Sequence, residues 1–214
     1  MKTAVAAVAV SLGLLAQSAP QDPSAILAAT RDALGGEKKL SAVKTIVATG
    51  RTQQVRGNNL VPIEFEIDIE LPDKYVRRSE IPAQGSGPST EGFKGEDFAR
   101  FMLPMFATSF GAYPLTFTYV GQAEAPQGKA DVLDAKGAAV TMRLFIDRAT
   151  HLPIMITWPG QPNENRLFFS DYRETDGMKW PFRIRRASGA DTVEETTFDR
   201  FRINPKIDAK KFQP

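Results

Sequence analysis

The 214-residue chain is long enough for one domain with a sizeable core, and its 42% hydrophobic and 24% charged content is that of an ordinary globular protein. A formal charge of +2 supplies no strong field to draw nucleic acid or acidic lipid. With no cysteine, disulfides, a thiolate nucleophile and an N-terminal lipid-bearing cysteine are all excluded.

Lys2 is followed by an uncharged run over residues 3–15, the length of a signal-peptide apolar region. Ala16-Gln17-Ser18 follows as a small-residue cleavage site, so residues 1–18 are expected to be removed and the mature chain to start at Ala19. The run is too short for a membrane anchor, which needs about 20 apolar residues. Export to the periplasm and no membrane span after cleavage are therefore expected. Residues 19–23 form a tether, and a single domain is expected over residues 24–214.

A helix is expected over residues 25–34, capped by Asp22 or Ser24 and stopped by Gly35-Gly36, with a second short helix over 37–43. The first strand spans 45–55. Residues 63–71 alternate without exception: Ile63, Phe65, Ile67, Ile69 and Leu71 face an apolar interior, while Glu64, Glu66, Asp68 and Glu70 face water. After a turn at Pro72-Asp73, residues 74–81 return with Arg77 and Arg78. These read as solvated cross-strand partners of the acids, each pair contributing a few tenths to ~1 kcal/mol.

Residues 82–90, rich in Gly, Ser and Pro, read as a loop. Residues 96–110 carry an apolar stripe, Phe98, Phe101, Met102, Met105 and Phe106, interrupted by Pro104, which should kink or break the helix. This helix either packs on the sheet or acts as a lid, since flexible methionines suit adaptable apolar surfaces. Strands follow over 113–124 and 130–134. From Val140 onward three hairpins run in succession, with turns near Thr150 and at Asp176-Gly177, to a last strand over 193–203. Pro62, Pro72, Pro82, Pro114, Pro153, Pro159 and Pro181 are expected at strand ends, where a ladder can spare an N–H. Ten or eleven strands joined by short turns should curl into a barrel or half-barrel.

The order of the motifs is also informative. Phe145-Ile146-Asp147-Arg148-Ala149-Thr150-His151-Leu152-Pro153 is followed by Asp171-Tyr172-Arg173, by Asp176-Gly177-Met178-Lys179-Trp180-Pro181, and by Asn204-Pro205-Lys206-Ile207-Asp208 with Phe212. With the leader and the early Gly-Gly helix end, this order resembles the periplasmic lipoprotein-carrier family, LolA/LolB-like, and the wider outer-membrane lipoprotein-sorting group. The resemblance implies a mainly β, open antiparallel half-barrel with helices over an apolar concave face that holds acyl chains of lipids or lipoproteins. It implies a carrier or chaperone, while others with this fold act as stress sensors and a few became enzymes; a monomer without catalysis is expected here, and an enzyme built around His151 is the least favoured reading. Because one fold hosts many functions, a second reading stays open: a non-catalytic interaction or envelope-sensor domain, meeting an envelope protein partner at the sheet edge or at residues 82–90.

Chemistry-bearing residues are sparse. His151 is the one histidine and falls in a turn, with no H-x-x-x-H and no cysteine to complete a zinc site. Ser170 and Asp171 lack a G-x-S-x-G context. Asp147 and Asp176 read as turn organisers; Arg183, Arg185 and Arg186 could bind an anion, but read first as a wetted strand face. No catalytic residue, metal or cofactor is expected. The apolar strand residues carry more weight. Phe65, Ile67, Ile69, Phe117, Tyr119, Leu144, Ile146, Ile154, Ile156 and Trp158 are candidates to line a ligand cavity, because large barrels enclose space rather than fill it. A closed core without ligand is the alternative.

Overall fold

The computed structural model describes residues 21–81, 89–92, 95–125, 128–138 and 140–213. The expected leader and most of the loop over 82–90 lie outside the described residues. Among those described, no helix is long and apolar enough to cross a membrane.

Helix α1 (Pro23–Leu34) begins as its sequence dictates. The Asp22 carboxylate accepts from the Ser24 N–H at 2.9 Å, and Pro23 sits in the first turn, where its missing N–H costs nothing. It ends at Gly35, whose φ of +136° only glycine adopts readily. A Cβ there would also lie 2.7 Å from the Gly177 carbonyl oxygen, so this glycine lets the helix end touch a distant hairpin turn. Helix α2 (Glu37–Ser41) buries Leu40. Helix α3 (Gly95–Phe106) carries Pro104 inside it and ends with its apolar stripe, four residues short of the expected 110. The proline falls in the last turn, and the helix gives way at Ala107, which adopts a φ of +48°. Arg31 of α1 donates to the Ala107 carbonyl at 3.0 Å and satisfies that helix end.

The strands are β1 (Thr45–Arg56), β2 (Asn59–Glu70), β3 (Lys74–Glu80), β4 (Ser89–Glu91), β5 (Thr116–Ala125), β6 (Gly128–Lys136), β7 (Thr141–Asp147), β8 (Pro153–Trp158), β9 (Asn165–Thr175), β10 (Met178–Ser188) and β11 (Asp191–Ile203). They form one antiparallel sheet in the order β4-β3-β2-β1-β11-β10-β9-β8-β7-β6-β5. The chain therefore meanders, except that β11 closes back onto β1. The sheet curls as an open half-barrel, with α1 against β10 and β5 and α3 against β8. Strand β4 lies in the stretch that composition marks as loop; it pairs with β3 through Arg78↔Thr90 and Ser79↔Ser89.

Two prolines sit inside strands rather than at their ends. Pro62 belongs to β2 where that strand runs past β3, whose pairing stops at Glu64↔Glu80, so one side of the ladder is open. Pro181 belongs to β10 just beyond its last pair with β11, Arg183↔Thr197. Both obey the physical rule of an unneeded N–H, but at places only the tertiary pairing reveals.

The core lies on the concave face. Trp180, fully buried, stacks on Phe201 with centroids 5.5 Å apart, and Phe106 of α3 meets its edge at 5.7 Å. Phe198 and Phe201, three residues apart on β11, both point inward because the β1–β11 register shifts between Thr49 and Gly50. Gly50 makes room for this: a Cβ would lie 2.9 Å from both the Phe198 Cα and the Phe65 ring.

The C-terminus covers the convex face. Asn204, at φ +55°, accepts from the Lys44 N–H at 2.7 Å and donates to the Ala42 carbonyl at 3.1 Å, clasping the α2–β1 junction. A terminal turn (Ala209–Phe212) follows, and Lys211 reaches Asp68 at 3.1 Å and Glu66 at 3.0 Å. Asp68 is thus wholly buried, which corrects the reading of four water-facing acids on β2. Glu70 keeps that reading, paired with Lys74 at 2.7 Å on the surface.

Candidate ligand pocket

The β2–β3 hairpin sets which side chains enter the concave face. Its register pairs Ile69 with Tyr75 and Ile67 with Arg77, so Arg77 shares the inner face with Ile67 while Arg78 points outward. The expectation of two equivalent solvated arginines is corrected here. Arg78 binds Glu66 at 2.6 Å and also Asp68. Burial would lower its pKa, but the hydrogen bonds and charges of those two acids outweigh it and raise the value.

Arg77 lines a pocket of about 300 Å³ between α3 and the sheet. Ile67 and Tyr75 come from β2 and β3. Asp97, Arg100 and Phe101 come from α3, Trp158 from β8, and Leu167 from β9. Ile184 and Arg186 come from β10, and Glu194, Thr196 and Phe198 from β11. The Arg77 guanidinium lies 4.6 Å over the Phe65 ring, donating to the Thr52 hydroxyl at 2.9 Å and the Ser79 hydroxyl at 3.1 Å. Thr52 is fully buried and shares a 2.9 Å hydrogen bond with Thr196 across β1 and β11. Arg100 lies 5.3 Å over Trp158 and binds Glu96 and Asp97 on its own helix at 2.8 and 3.0 Å.

Of the cavity candidates, Ile67 and Trp158 line this pocket, and Phe65 lies beneath Arg77 with its edge on Phe198 at 5.5 Å. Ile69, Leu144, Ile146 and Ile156 are buried in the packed core under the helices. Phe117 and Tyr119, on edge strand β5, are half-buried against it. Ile154 is half-buried at a bulge: Pro153, not Ile154, stands opposite Ile146, and Pro153 takes the buried place. On α3, Phe98, Met102, Met105 and Phe106 are buried with Leu103, while Phe101 is half-buried over the pocket, 6.2 Å from Tyr75.

Arg100, Leu167, Ile184 and Phe198 are pocket residues not singled out from the sequence, and Arg77 and Arg186, read there as solvated, join them. Parity was the available signal. Arg186 follows Ile184 by two, as Arg77 follows Tyr75, so each shares an inner face. Arg183 and Arg185 do face outward, with Arg183 on Glu195 and Arg185 3.9 Å over Phe168. Arg186 is the exception to the expected wetted face.

The other candidates do not line this pocket. Exposed His151 sits at φ +56° in the β7–β8 turn, where Asp147 accepts from the Thr150 N–H at 2.8 Å and its hydroxyl at 2.7 Å. Asp171 pairs with Arg173 on the surface at 2.6 Å. The Tyr172 hydroxyl donates to the Pro153 carbonyl at 2.7 Å, and burial pushes its pKa upward, keeping it neutral. Among the described residues, no three of His, Cys, Asp and Glu gather as a metal site. A larger groove of about 580 Å³ on the convex face is walled by Glu64, Glu66, Glu80 and Asp199 with Arg51 and Arg78, and is polar and open.

No family model matches the chain, and no curated protein matches it in sequence. Its fold has close parallels among solved structures. An outer membrane lipoprotein-sorting protein domain from Vibrio parahaemolyticus superposes with a TM-score of 0.59 at 10% identity, covering 90% of this chain and 97% of that one. A DUF1329 family protein from Desulfovibrio piger gives 0.57 at 11% identity, over 90% and 98%. A LolA superfamily protein from Nitrosomonas europaea gives 0.56 at 11% identity, over 90% and 97%. Among the described residues, eleven antiparallel strands in one sheet, helices on the inner face and these three likenesses agree: the chain shares the fold of these structures, an open antiparallel half-barrel of LolA-like form.

Proposed function

We propose that this protein is a non-enzymatic, monomeric periplasmic carrier or chaperone that binds acyl chains between α3 and the concave sheet in envelope lipid or lipoprotein traffic. One observation carries this reading. A pocket whose lining includes the apolar side chains of Ile67, Phe101, Trp158, Leu167, Ile184 and Phe198 opens beneath an amphipathic, methionine-bearing helix. Its 300 Å³ is at the lower end for a ligand site, so a long chain enters only as α3 gives way.

The energies balance. Exposing Phe98, Met102, Leu103, Met105 and Phe106 would cost about 1.5–3 kcal/mol each, on the order of 10 kcal/mol together. An acyl chain of about sixteen carbons returns about 0.8 kcal/mol per methylene, a similar total. A chain half as long offsets half of the cost and should not open the helix. Residues 1–18 serve as a cleaved leader in this reading, and handing over the cargo would call for an envelope protein partner.

Native mass spectrometry of protein purified from the periplasm tests the proposal. Expected are a mature mass beginning at Ala19 and adducts of long-chain acyl species that survive gentle ionisation. A uniform apo mass, with no adduct after incubation with long-chain lipid, would leave the interaction-domain reading in its place.

A further inference from the structure

Resting on the acyl-chain reading, we propose that the cargo carries an anionic head group, a carboxylate or phosphate, held at the pocket mouth by Arg77 and Arg186 with Arg100 above them. The three guanidinium groups come from β3, β10 and α3 and converge on one pocket whose remaining wall is largely apolar.

Their hydrogen bonds leave donors to spare. A guanidinium has five N–H donors. Arg77 uses two, both on neutral hydroxyls, and Thr52 is itself locked to Thr196, so the group is held in place without a described carboxylate neutralising it. Arg186 stands 3.8 Å from Glu194, too far for a hydrogen bond. Arg100 is 13% exposed; its terminal nitrogens are satisfied by Glu96 and Asp97, but its Nε is buried and meets no acceptor among the described residues. Two acids, Asp97 and Glu194, line the same pocket; the first is committed to Arg100 and the second receives the Thr196 hydroxyl at 3.4 Å.

The energetics choose between kinds of cargo. A neutral ester or amide with hydrocarbon on either side would strip water from these cations and return little. An oxyanion restores what the water gave, because the planar fork of arginine matches carboxylate and phosphate oxygens. Acyl methylenes then lie on Ile67, Ile184 and Phe198 while the head stays at the mouth.

The test compares three amphiphiles of one chain length on the mature protein: palmitate, 1-palmitoyl-lysophosphatidate and neutral monopalmitoylglycerol, each displacing a neutral fluorescent acyl probe. Both anions should bind at least tenfold tighter than the neutral lipid. Arg186→Gln, at a side chain with no hydrogen bond to another element among the described residues, should cut that preference fivefold or more, and Arg77→Gln should do the same. Palmitate favoured over lysophosphatidate, or the reverse, identifies which oxyanion the mouth is built for. Equal affinity for all three, unchanged in both variants, would overturn the head-group assignment and leave acyl binding standing. Displacement of the probe by inorganic phosphate alone at similar concentration would overturn it too, since the site would then take a free anion. If none of the three displaces the probe, the acyl-chain reading falls with it.

Discussion

Arg77 and Arg78 stand side by side on β3, yet their guanidinium groups lie on opposite faces of the sheet and meet different chemistry. Outside, Arg78 is shared between Glu66 and Asp68, and Lys211 arrives from the far end of the chain to bind the same two acids. Inside, Arg77 rests on hydroxyls and an aromatic ring. The outer cluster is saturated with protein partners and holds the C-terminal segment down. The inner one is positioned by neutral partners and meets no carboxylate among the described residues. On the proposed reading, the two faces divide stability from recognition.

The outer cluster gives the largest expected effect. Replacing Arg78 and Lys211 together by methionine leaves the Asp68 carboxylate fully buried without either of its cations, and should lose about 3–5 kcal/mol in urea unfolding. Either single change should cost clearly less, because the second cation remains and both are partly solvated, at 27% and 35% exposure. Adding Asp68→Leu to the double variant should recover most of the loss. A double variant as stable as the parent would show that Asp68 is not an uncompensated charge and would erase the contrast between the faces.

How far this could be read from the sequence depends on the range of the contact. The alternation from Ile63 to Leu71 assigns the sides of β2 correctly because strand parity is local. Parity across the tight turn at Pro72-Asp73 also places Arg77 inward, once the register is counted. Nothing local shows that Lys211 will cover Asp68, 143 positions away. Nothing local shows the register shift that turns both Phe198 and Phe201 inward, or the bulge that gives Pro153 the buried place beside Ile154. The end of the last strand at residue 203 was legible from the sequence; the role of Asn204 as a clasp needs the α2–β1 junction beside it.

The concave face itself contains a second contrast, between packed floor and pocket wall. Ile156→Ala removes a fully buried side chain under α3 and should cost about 2–5 kcal/mol. Ile67→Ala enlarges a pocket that already exists, so its cavity is continuous with the opening and the expected loss is about 1–2 kcal/mol. Ile67→Trp should fill the pocket and abolish binding of a fluorescent fatty acid while the protein still unfolds cooperatively. Equal losses for the two alanine variants, with no fatty-acid binding by the parent, would make the whole face an ordinary core.

Acid should act through the outer face. Burial alone would raise the Glu66 pKa, but hydrogen bonds from Arg78 and Lys211, with their charges, hold it below the usual 4.5. A depressed folded-state pKa means that the unfolded chain takes up the proton first. The stabilisation is therefore present in full above about pH 4.5 and is lost as pH falls through the lower folded-state value. Glu66 is 34% exposed, so the amount is below about 1 kcal/mol. Comparing urea midpoints of the parent and Glu66→Gln from pH 7 to pH 3 should show the two curves converging at the acid end. Parallel curves would remove Glu66 from the cluster's energetics.

The smallest expected change in stability is that of Arg77→Met, and it bears most directly on the division between the faces. The substitution removes two hydrogen bonds to hydroxyls, each worth about 1 kcal/mol net at most when both partners can find others. Thr52 keeps Thr196 as its partner, and Ser79 lies toward the end of β3. The methionine chain keeps the apolar contact with the Phe65 ring, and the unfavourable placement of a guanidinium in an apolar pocket is relieved. These terms nearly cancel, so stability should change by less than about 0.5 kcal/mol. The corresponding single change at Arg78 should cost several times as much. If Arg77→Met instead destabilises as strongly as Arg78→Met, the inner guanidinium is a structural strut like its neighbour, and the case for keeping it free for an anion is gone.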